Sequence, residues 1–124
     1  PPPPPAISRE AAPGLRPRRG TPGPVGTIAT WPGFRKAISD HWLPHLDSFA
    51  PQMVLISAGF DAHVADDMSM VSLTDADFRW VAEQIVAVAS GPAFGRIVST
   101  LEGGYETNSL ARCVETHIRV LMGI

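Results

Sequence analysis

The stretch MVLISAGFDAH, residues 53–63, decides the fold, because an apolar run ends abruptly in Gly-Phe-Asp. Its first six residues, MVLISA, are short and β-rich, and such runs are typical of strands buried on both faces of a parallel sheet. Asp61 then follows the C-terminal end of this strand. Ligands of open α/β sheets lie outside the carboxyl ends of the strands, so Asp61 is a candidate functional residue. The alternative is an ordinary turn residue.

A second apolar run, GRIVSTL at residues 95–101, predicts another buried strand, which EGGY closes. Between the two strands, Thr74 in LTDADF is a suitable N-cap for a helix that reaches about Ala89. The full element order is α-β-α-β-α, which predicts an α/β fold with parallel strands joined by a right-handed crossover. Asp61 and Tyr105 each follow a strand end, so both are expected on the same rim.

Two amphipathic helices are predicted on either side of this unit. FRKAISDHWLPHLDSF, residues 34–49, has an apolar stripe at helical spacing, and Pro44 predicts a kink within it. A last helix begins at Asn108 as N-cap. The predicted inward residues are Phe34, Ile38, Trp42, Leu46 and Phe49 on the first helix, and Leu110, Val114, Ile118 and Leu121 on the last.

The bulk composition narrows the class of protein. A length of 124 residues fits one small domain, and a formal charge of −2 gives no sign of a nucleic-acid surface. A single cysteine, Cys113, excludes an internal disulfide framework and suits a reducing compartment, so a cytoplasmic location is expected. No apolar run approaches the ~20 residues that a membrane span needs. The oligomeric state is not predicted.

The composition changes sharply near residue 33. Ten of the 13 prolines lie in residues 1–32, together with four arginines and one glutamate. Such a Pro/Arg/Gly-rich segment cannot bury enough apolar surface to fold, so disorder is predicted. The alternative is an arm that binds a proline-binding module or an anionic partner. Residues 33–124 are predicted to be globular.

Two motifs, ISAGFDAH at 56–63 and LEGGYETNSLARC at 101–113, together resemble the C-terminal part of the zinc-dependent histone deacetylase family. The residues of the two motifs are more similar to those of class II members and acetylpolyamine amidohydrolases than to those of class I. The resemblance does not extend to residues 1–32. It implies the C-terminal portion of an arginase/deacetylase-type parallel-sheet fold, expected to be incomplete as given because two strands leave sheet edges open. It also implies hydrolysis of acetyl-amide bonds in acetyl-lysine or acetylpolyamine.

The resemblance assigns roles to five residues. Asp61 matches a zinc ligand, and a carboxylate is a suitable ligand for that metal. Tyr105 matches the catalytic tyrosine, whose hydroxyl binds the substrate carbonyl oxygen as it becomes an oxyanion. Gly103 and Gly104 are expected beside the substrate channel, and Met68 at the rim of the channel.

One departure from the family pattern concerns the metal. A catalytic zinc takes three protein ligands, and the family draws the other two from an Asp-x-His motif upstream and its base from a His-His pair. No Asp-x-His precedes Gly59 and no His-His occurs in the chain. Asp61 is therefore the single expected ligand, and the isolated chain is expected to be inactive. His63, two residues after Asp61, is a minor alternative for a second ligand.

The remaining candidates receive structural interpretations. His41 and His45 share a helix face, as two metal ligands would. However, Pro44 disturbs that turn, and the chain lacks the glutamate of the zinc-binding motif HExxH, so both are interpreted as solvent-edge residues. His117 is interpreted as structural or exposed, and Cys113 as a buried thiol. The alternative function is a non-catalytic remnant or interaction module with a Pro/Arg-rich arm. A truncated or frame-shifted reading of a larger gene would explain the composition break.

Overall fold

The computed structural model describes residues 31–124, so most of the predicted disordered segment lies outside the described residues. The elements are α1 (Trp31–Ala37), a π-helical turn (Ile38–Trp42), α2 (Leu43–Phe49), β1 (Val54–Ala58), α3 (Asp75–Ser90), β2 (Ile97–Leu101) and α4 (Thr107–Met122). The predicted order of helices and strands is therefore confirmed. Among the described helices, none combines the length and apolar character that crossing a bilayer requires.

The two strands form a parallel pair. Their register runs from the Val54–Ile97 pair to the Ala58–Leu101 pair, so both strands end at the same level. Helix α3 lies on the connection between them. The loop after β1 and the loop after β2 consequently open at one edge, which confirms the expected common rim.

The strands are not buried on both faces, contrary to the prediction. Ala58 is buried and packs with Phe60 of the following loop and Cys113 of α4. On the opposite face Leu55 is 74% exposed and Val98 47% exposed. The physical reason is that α3 and α4 pack against the first face, whereas no described element covers the second.

The first helical region follows the predicted stripe only in part. Ile38 is buried, but Trp42 is 54% exposed and Phe49 is 78% exposed, so the prediction was wrong for these two aromatic residues. The chain widens into the π-helical turn between α1 and α2, which changes the angle between successive side chains and moves later residues off the stripe. Pro44 follows directly, in the first turn of α2, where its missing N–H is tolerated.

The two long helices begin with different capping residues. Thr74 is the N-cap of α3 as predicted, and the Asp77 carboxylate accepts hydrogen bonds from the Thr74 N–H (2.9 Å) and hydroxyl (2.8 Å). The N-cap of α4 is Glu106 rather than the predicted Asn108. Glu106 accepts from the N–H groups of Asn108 (3.1 Å) and Ser109 (2.7 Å), because Asn108 already lies inside the first turn.

Helix α4 packs on the sheet through His117 instead of Ile118. Ile118 is 49% exposed, which corrects its predicted inward position, whereas Leu110, Val114 and Leu121 are half-buried. His117 Nε2 lies 2.9 Å from the Ser99 hydroxyl, and its ring meets Phe60 edge-on at 5.8 Å. Burial lowers the pKa of His117, so the ring is a neutral structural group, in line with its interpretation from the sequence.

Candidate functional site

Asp61 and Gly103 lie in direct contact at the carboxyl ends of the strands. A Cβ atom on Gly103 would stand 2.7 Å from Oδ2 of Asp61 and 2.8 Å from its Cγ, closer than real contacts allow. The Phe60 N–H donates to the Gly103 carbonyl at 2.8 Å, which continues the strand pairing into the loops. The loop that carries Asp61 is therefore joined to the loop that leads to Tyr105.

Gly104 is required by its backbone conformation and by its surroundings. Its φ of +137° is a conformation that L side chains rarely adopt, and a Cβ there would lie 2.6 Å from Cδ1 of Leu110. The loop can therefore pass close over Leu110 before α4 begins. Tyr105 follows with a 61% exposed side chain, and its hydroxyl makes no hydrogen bond to another described residue.

A buried carboxylate, Asp66, holds the backbone beside Tyr105. It is only 6% exposed, and its Oδ2 accepts the N–H groups of Tyr105 (2.6 Å) and Glu106 (3.1 Å). Its Oδ1 accepts the N–H of Met68 at 3.0 Å. These bonds, that of Tyr105 foremost, hold the pKa of Asp66 below its ordinary value, so the carboxylate is ionised at neutral pH.

Sequence reasoning missed Asp66. Its partner Tyr105 lies 39 residues away, and the neighbouring Asp67 is exposed, so nothing local distinguishes the two acids. Met68, the predicted rim residue, follows Asp66 closely and has a side chain that is 64% exposed.

A second polar cluster, the His63 cluster, consists of His63, Asp75, Arg112 and Cys113. His63 Nδ1 accepts the N–H of Ala65 at 3.0 Å, so Nε2 carries the proton that is donated to Asp75 Oδ1 at 2.7 Å. Arg112 Nε donates to Asp75 Oδ2 at 2.9 Å, and the Cys113 thiol lies 3.5 Å from Oδ1. The cluster ties the loop after β1 to both α3 and α4.

The His63 cluster is the one place in the part of the chain that the structure describes where three metal-ligating side chains come within 4.8 Å of one another. The three are His63, Asp75 and Cys113, and Asp61 is not among them. Arg112 already neutralises Asp75, and burial raises the pKa of Cys113 to about 12, so sulfur stays a thiol. The polar atoms of the cluster already bond to one another, so we interpret it as a structural contact between the loop after β1 and the two long helices.

These contacts decide two predictions about single residues. Both ring nitrogens of His63 have partners other than Asp61, which argues against His63 as a second ligand beside it. Cys113 is fully buried, which confirms its interpretation as a buried thiol. Asp61 belongs to no group of three metal-ligating side chains among the described residues, so these residues do not form a complete zinc site around it.

Comparisons with known proteins identify a family whose sequences resemble this chain. The family model described as the histone deacetylase domain matches residues 24–121, so it begins before the predicted boundary at residue 33. Type-2 histone deacetylase 2 of Dictyostelium discoideum is 41% identical over 83 residues, which are 64% of this chain and 5% of that protein.

Two further similarities come from a mammalian relative and from a solved structure. Polyamine deacetylase HDAC10 of Mus musculus is 38% identical over 81 residues, 65% of this chain and 12% of that protein. The crystal structure of the HDA15 HD domain superposes with a TM-score of 0.66 at 30% identity, covering 73% of this chain and 24% of that one. The chain thus spans a small part of each relative, and its fold is a part of the arginase/deacetylase fold of these domains, as expected.

Proposed function

This chain belongs to the histone deacetylase family, and on that premise we propose that residues 33–124 form the part of a zinc-dependent deacetylase that carries Asp61 and Tyr105. Asp61 supplies one zinc ligand, and Tyr105 donates a hydrogen bond to the oxyanion. The Pro/Arg-rich residues 1–32 have no role in this proposal. The substrate is an acetyl-amide of lysine or of a polyamine, a choice supported by the names of the relatives.

The contact between the Asp61 carboxylate and Gly103 is the observation that carries this proposal. It brings an acid and the tyrosine loop together at the carboxyl ends of parallel strands, where ligands of such sheets bind. An ordinary turn aspartate would have no need of a glycine on a distant loop. The tight packing favours a carboxylate whose position matters.

Each residue contributes a defined step. The Asp61 carboxylate provides negative charge and a hard oxygen donor, and zinc bound by the complete ligand set would polarise the amide and activate water. The exposed Tyr105 hydroxyl donates to the carbonyl oxygen as negative charge develops on it. Gly103 and Gly104 let the backbone beside the channel pass close to Asp61 and Leu110, and Met68 contributes an apolar rim.

The proposal includes the inactivity of the isolated chain. Among the described residues, Asp61 belongs to no group of three metal-ligating side chains. One carboxylate cannot hold a hydrolytic zinc, which takes three protein ligands. Purified chain supplied with zinc should therefore release no acetate from an acetyl-lysine peptide. Turnover that Asp61→Ala and Tyr105→Phe abolish would contradict this part of the proposal.

A chimera tests the roles of the two residues. Residues 33–124 replace the matching segment of the HDA15 HD domain, and zinc content and acetate release from an acetyl-lysine peptide and acetylspermidine are measured. We expect an active chimera in which Asp61→Ala loses zinc. Tyr105→Phe should keep zinc but lower kcat by about 10²–10³-fold.

A matched variant controls for folding in this experiment. Asp67→Asn changes an exposed acid in the same region and should keep both zinc and activity. The ratio of the rates on the peptide and on acetylspermidine assigns the substrate class. A folded, zinc-loaded chimera whose activity is unchanged by both Asp61→Ala and Tyr105→Phe would refute the proposed roles, and the chain would then be a scaffold.

A further inference from the structure

We propose that Asp66 is a positioning residue for Tyr105, a role that deepens the proposed function and depends on it. One carboxylate accepts backbone N–H groups from two loops: Met68 on Oδ1, and both Tyr105 and Glu106 on Oδ2. The tyrosine and the channel rim are therefore fixed to the same buried group. Their relative position is set by Asp66 rather than by either loop alone.

The chemistry of the contact requires an ionised carboxylate. Asp66 is buried, and its two oxygens face three donors and no acceptor among the contacts described. An asparagine has one oxygen and one NH₂ group, so its nitrogen would have to face an N–H group. The N–H groups of Tyr105 and Glu106 also precede α4, and the N-terminus of a helix favours negative charge.

The side chain of Tyr105 depends on this backbone contact for its direction. It is 61% exposed, and its hydroxyl bonds to no other described residue. The backbone is held instead by the 2.6 Å bond to Asp66, a short charge-assisted bond. If this bond is lost, the tyrosine loop can shift, and a misplacement of about 1 Å can cost as much as 10²-fold in rate.

An NMR experiment on the full chain tests the contact without any need for catalysis. Tyr105 is the sole tyrosine, so labelling with ¹⁵N-tyrosine gives a single amide signal that reports the bond to Asp66. In Asp66→Asn we expect this signal to move and its exchange with D₂O to become about 10- to 100-fold faster. Asp67→Asn, the same chemical change at an exposed neighbour, should leave the signal in place.

The same experiment separates positioning from general stability. In a second, uniformly ¹⁵N-labelled sample the amides of β1 serve as the reference and should keep their protection in Asp66→Asn. If the variant unfolds as a whole, or loses protection equally in β1 and at Tyr105, Asp66 is a general structural residue and the proposal is wrong. Equal exchange of the Tyr105 amide in both variants would also overturn it. Asp66→Glu, which restores the charge one methylene further out, should recover part of the protection.

A double-mutant cycle in the active chimera tests the consequence for catalysis. Asp66→Asn should lower kcat about 10- to 100-fold with little change in KM, because it misplaces a group that acts in the transition state. In a Tyr105→Phe background the same change should lower kcat less than about 2-fold, because the group that it positions is already gone. Fully additive losses would contradict the positioning role.

The two proposals fail in distinguishable ways. If the wild-type chimera is inactive, the deacetylase function is refuted. If the Tyr105 amide signal of the full chain still shifts in Asp66→Asn, the contact between Asp66 and Tyr105 is then a structural bond without a catalytic role. An active chimera in which Asp66→Asn has normal kcat would keep the function and refute positioning.

Discussion

The rim at the strand ends and the uncovered face of the sheet are stabilised in different ways. At the rim, acids such as Asp66 and Asp77 are buried, and no buried side-chain nitrogen or oxygen of the described residues lacks a hydrogen-bond partner. On the uncovered face, Leu55 is 74% exposed. The rim is thus stabilised by polar contacts within the chain, whereas the uncovered face of the sheet gains little stability from packing against described residues. Four changes test this contrast.

The largest expected effect is that of Asp77→Ala at the start of α3. Asp77 is fully buried, accepts two hydrogen bonds from Thr74, and pairs with Arg35 at 3.2 Å. Breaking such a pair typically costs about 3–5 kcal/mol, so we expect a loss of that order in the free energy of unfolding, measured by urea denaturation.

A surface ion pair on the same helix is the control for this prediction. Glu83 accepts from Arg79 at 2.8 Å, and both side chains are exposed. Glu83→Ala should change the free energy of unfolding by less than about 1 kcal/mol. If both variants lose equally little, the polar contacts of the rim do not stabilise it and the contrast fails.

Gly103→Ala should have the next largest effect. The added Cβ would stand 2.7 Å from the Asp61 carboxylate, so the loop or the acid must move, and overpacking of this kind costs about 1–3 kcal/mol. Gly33→Ala is the matched control. Gly33 lies in α1, and no atom lies within 4 Å of the Cβ that the substitution would add. The control should be neutral or stabilising by up to about 1 kcal/mol. Urea denaturation of both variants decides whether space beside Asp61 is limiting.

The Glu106 cap predicts a smaller, pH-dependent effect. Hydrogen bonds from Ser109 and Asn108 lower its pKa from 4.5 to about 2. The ionised carboxylate therefore stabilises α4 above pH 4.5, and this contribution is lost as the pH falls from 4.5 towards 2. The thermal midpoint, followed by circular dichroism, should fall over this range in the wild type and fall less in Glu106→Gln. If the thermal midpoint falls equally with pH in the wild type and in Glu106→Gln, the cap is not the cause. The same holds if the control variant Glu102→Gln reduces the fall of the midpoint as much as Glu106→Gln does.

The smallest expected effect is on the uncovered face. Leu55→Ser should change the free energy of unfolding by no more than about 0.5 kcal/mol, because the leucine is already in contact with solvent. Ile56→Ser on the packed face is the control and should cost more, since Ile56 contacts the core. A large, concentration-dependent loss in Leu55→Ser, checked by sedimentation, would show that this face is buried between copies of the chain.

Sequence reasoning succeeded where short-range patterns dictate structure. Apolar runs placed both strands, and Thr74 was identified as a cap from the acids that follow it. Asp66 was missed because its partners come from another loop, and Trp42 was misplaced because a π-helical turn has no clear signature in the sequence. The roles of Asp61 and Tyr105 came from family resemblance and stay predictions. Geometry adds the close contact with Gly103, which no sequence pattern reveals.

The parallel pairing of the strands also has a consequence for how the chain folds. Residues Val54 and Ile97 can meet only after the whole of α3 has been looped between them, so closing the pair is costly in chain entropy. A helix of this length forms within about a microsecond, and a non-local pairing forms later. We therefore expect α3 and α4 to fold early and the strand ends to meet last. The loops of Asp61 and Tyr105 would then reach their final positions only in the closing step of folding.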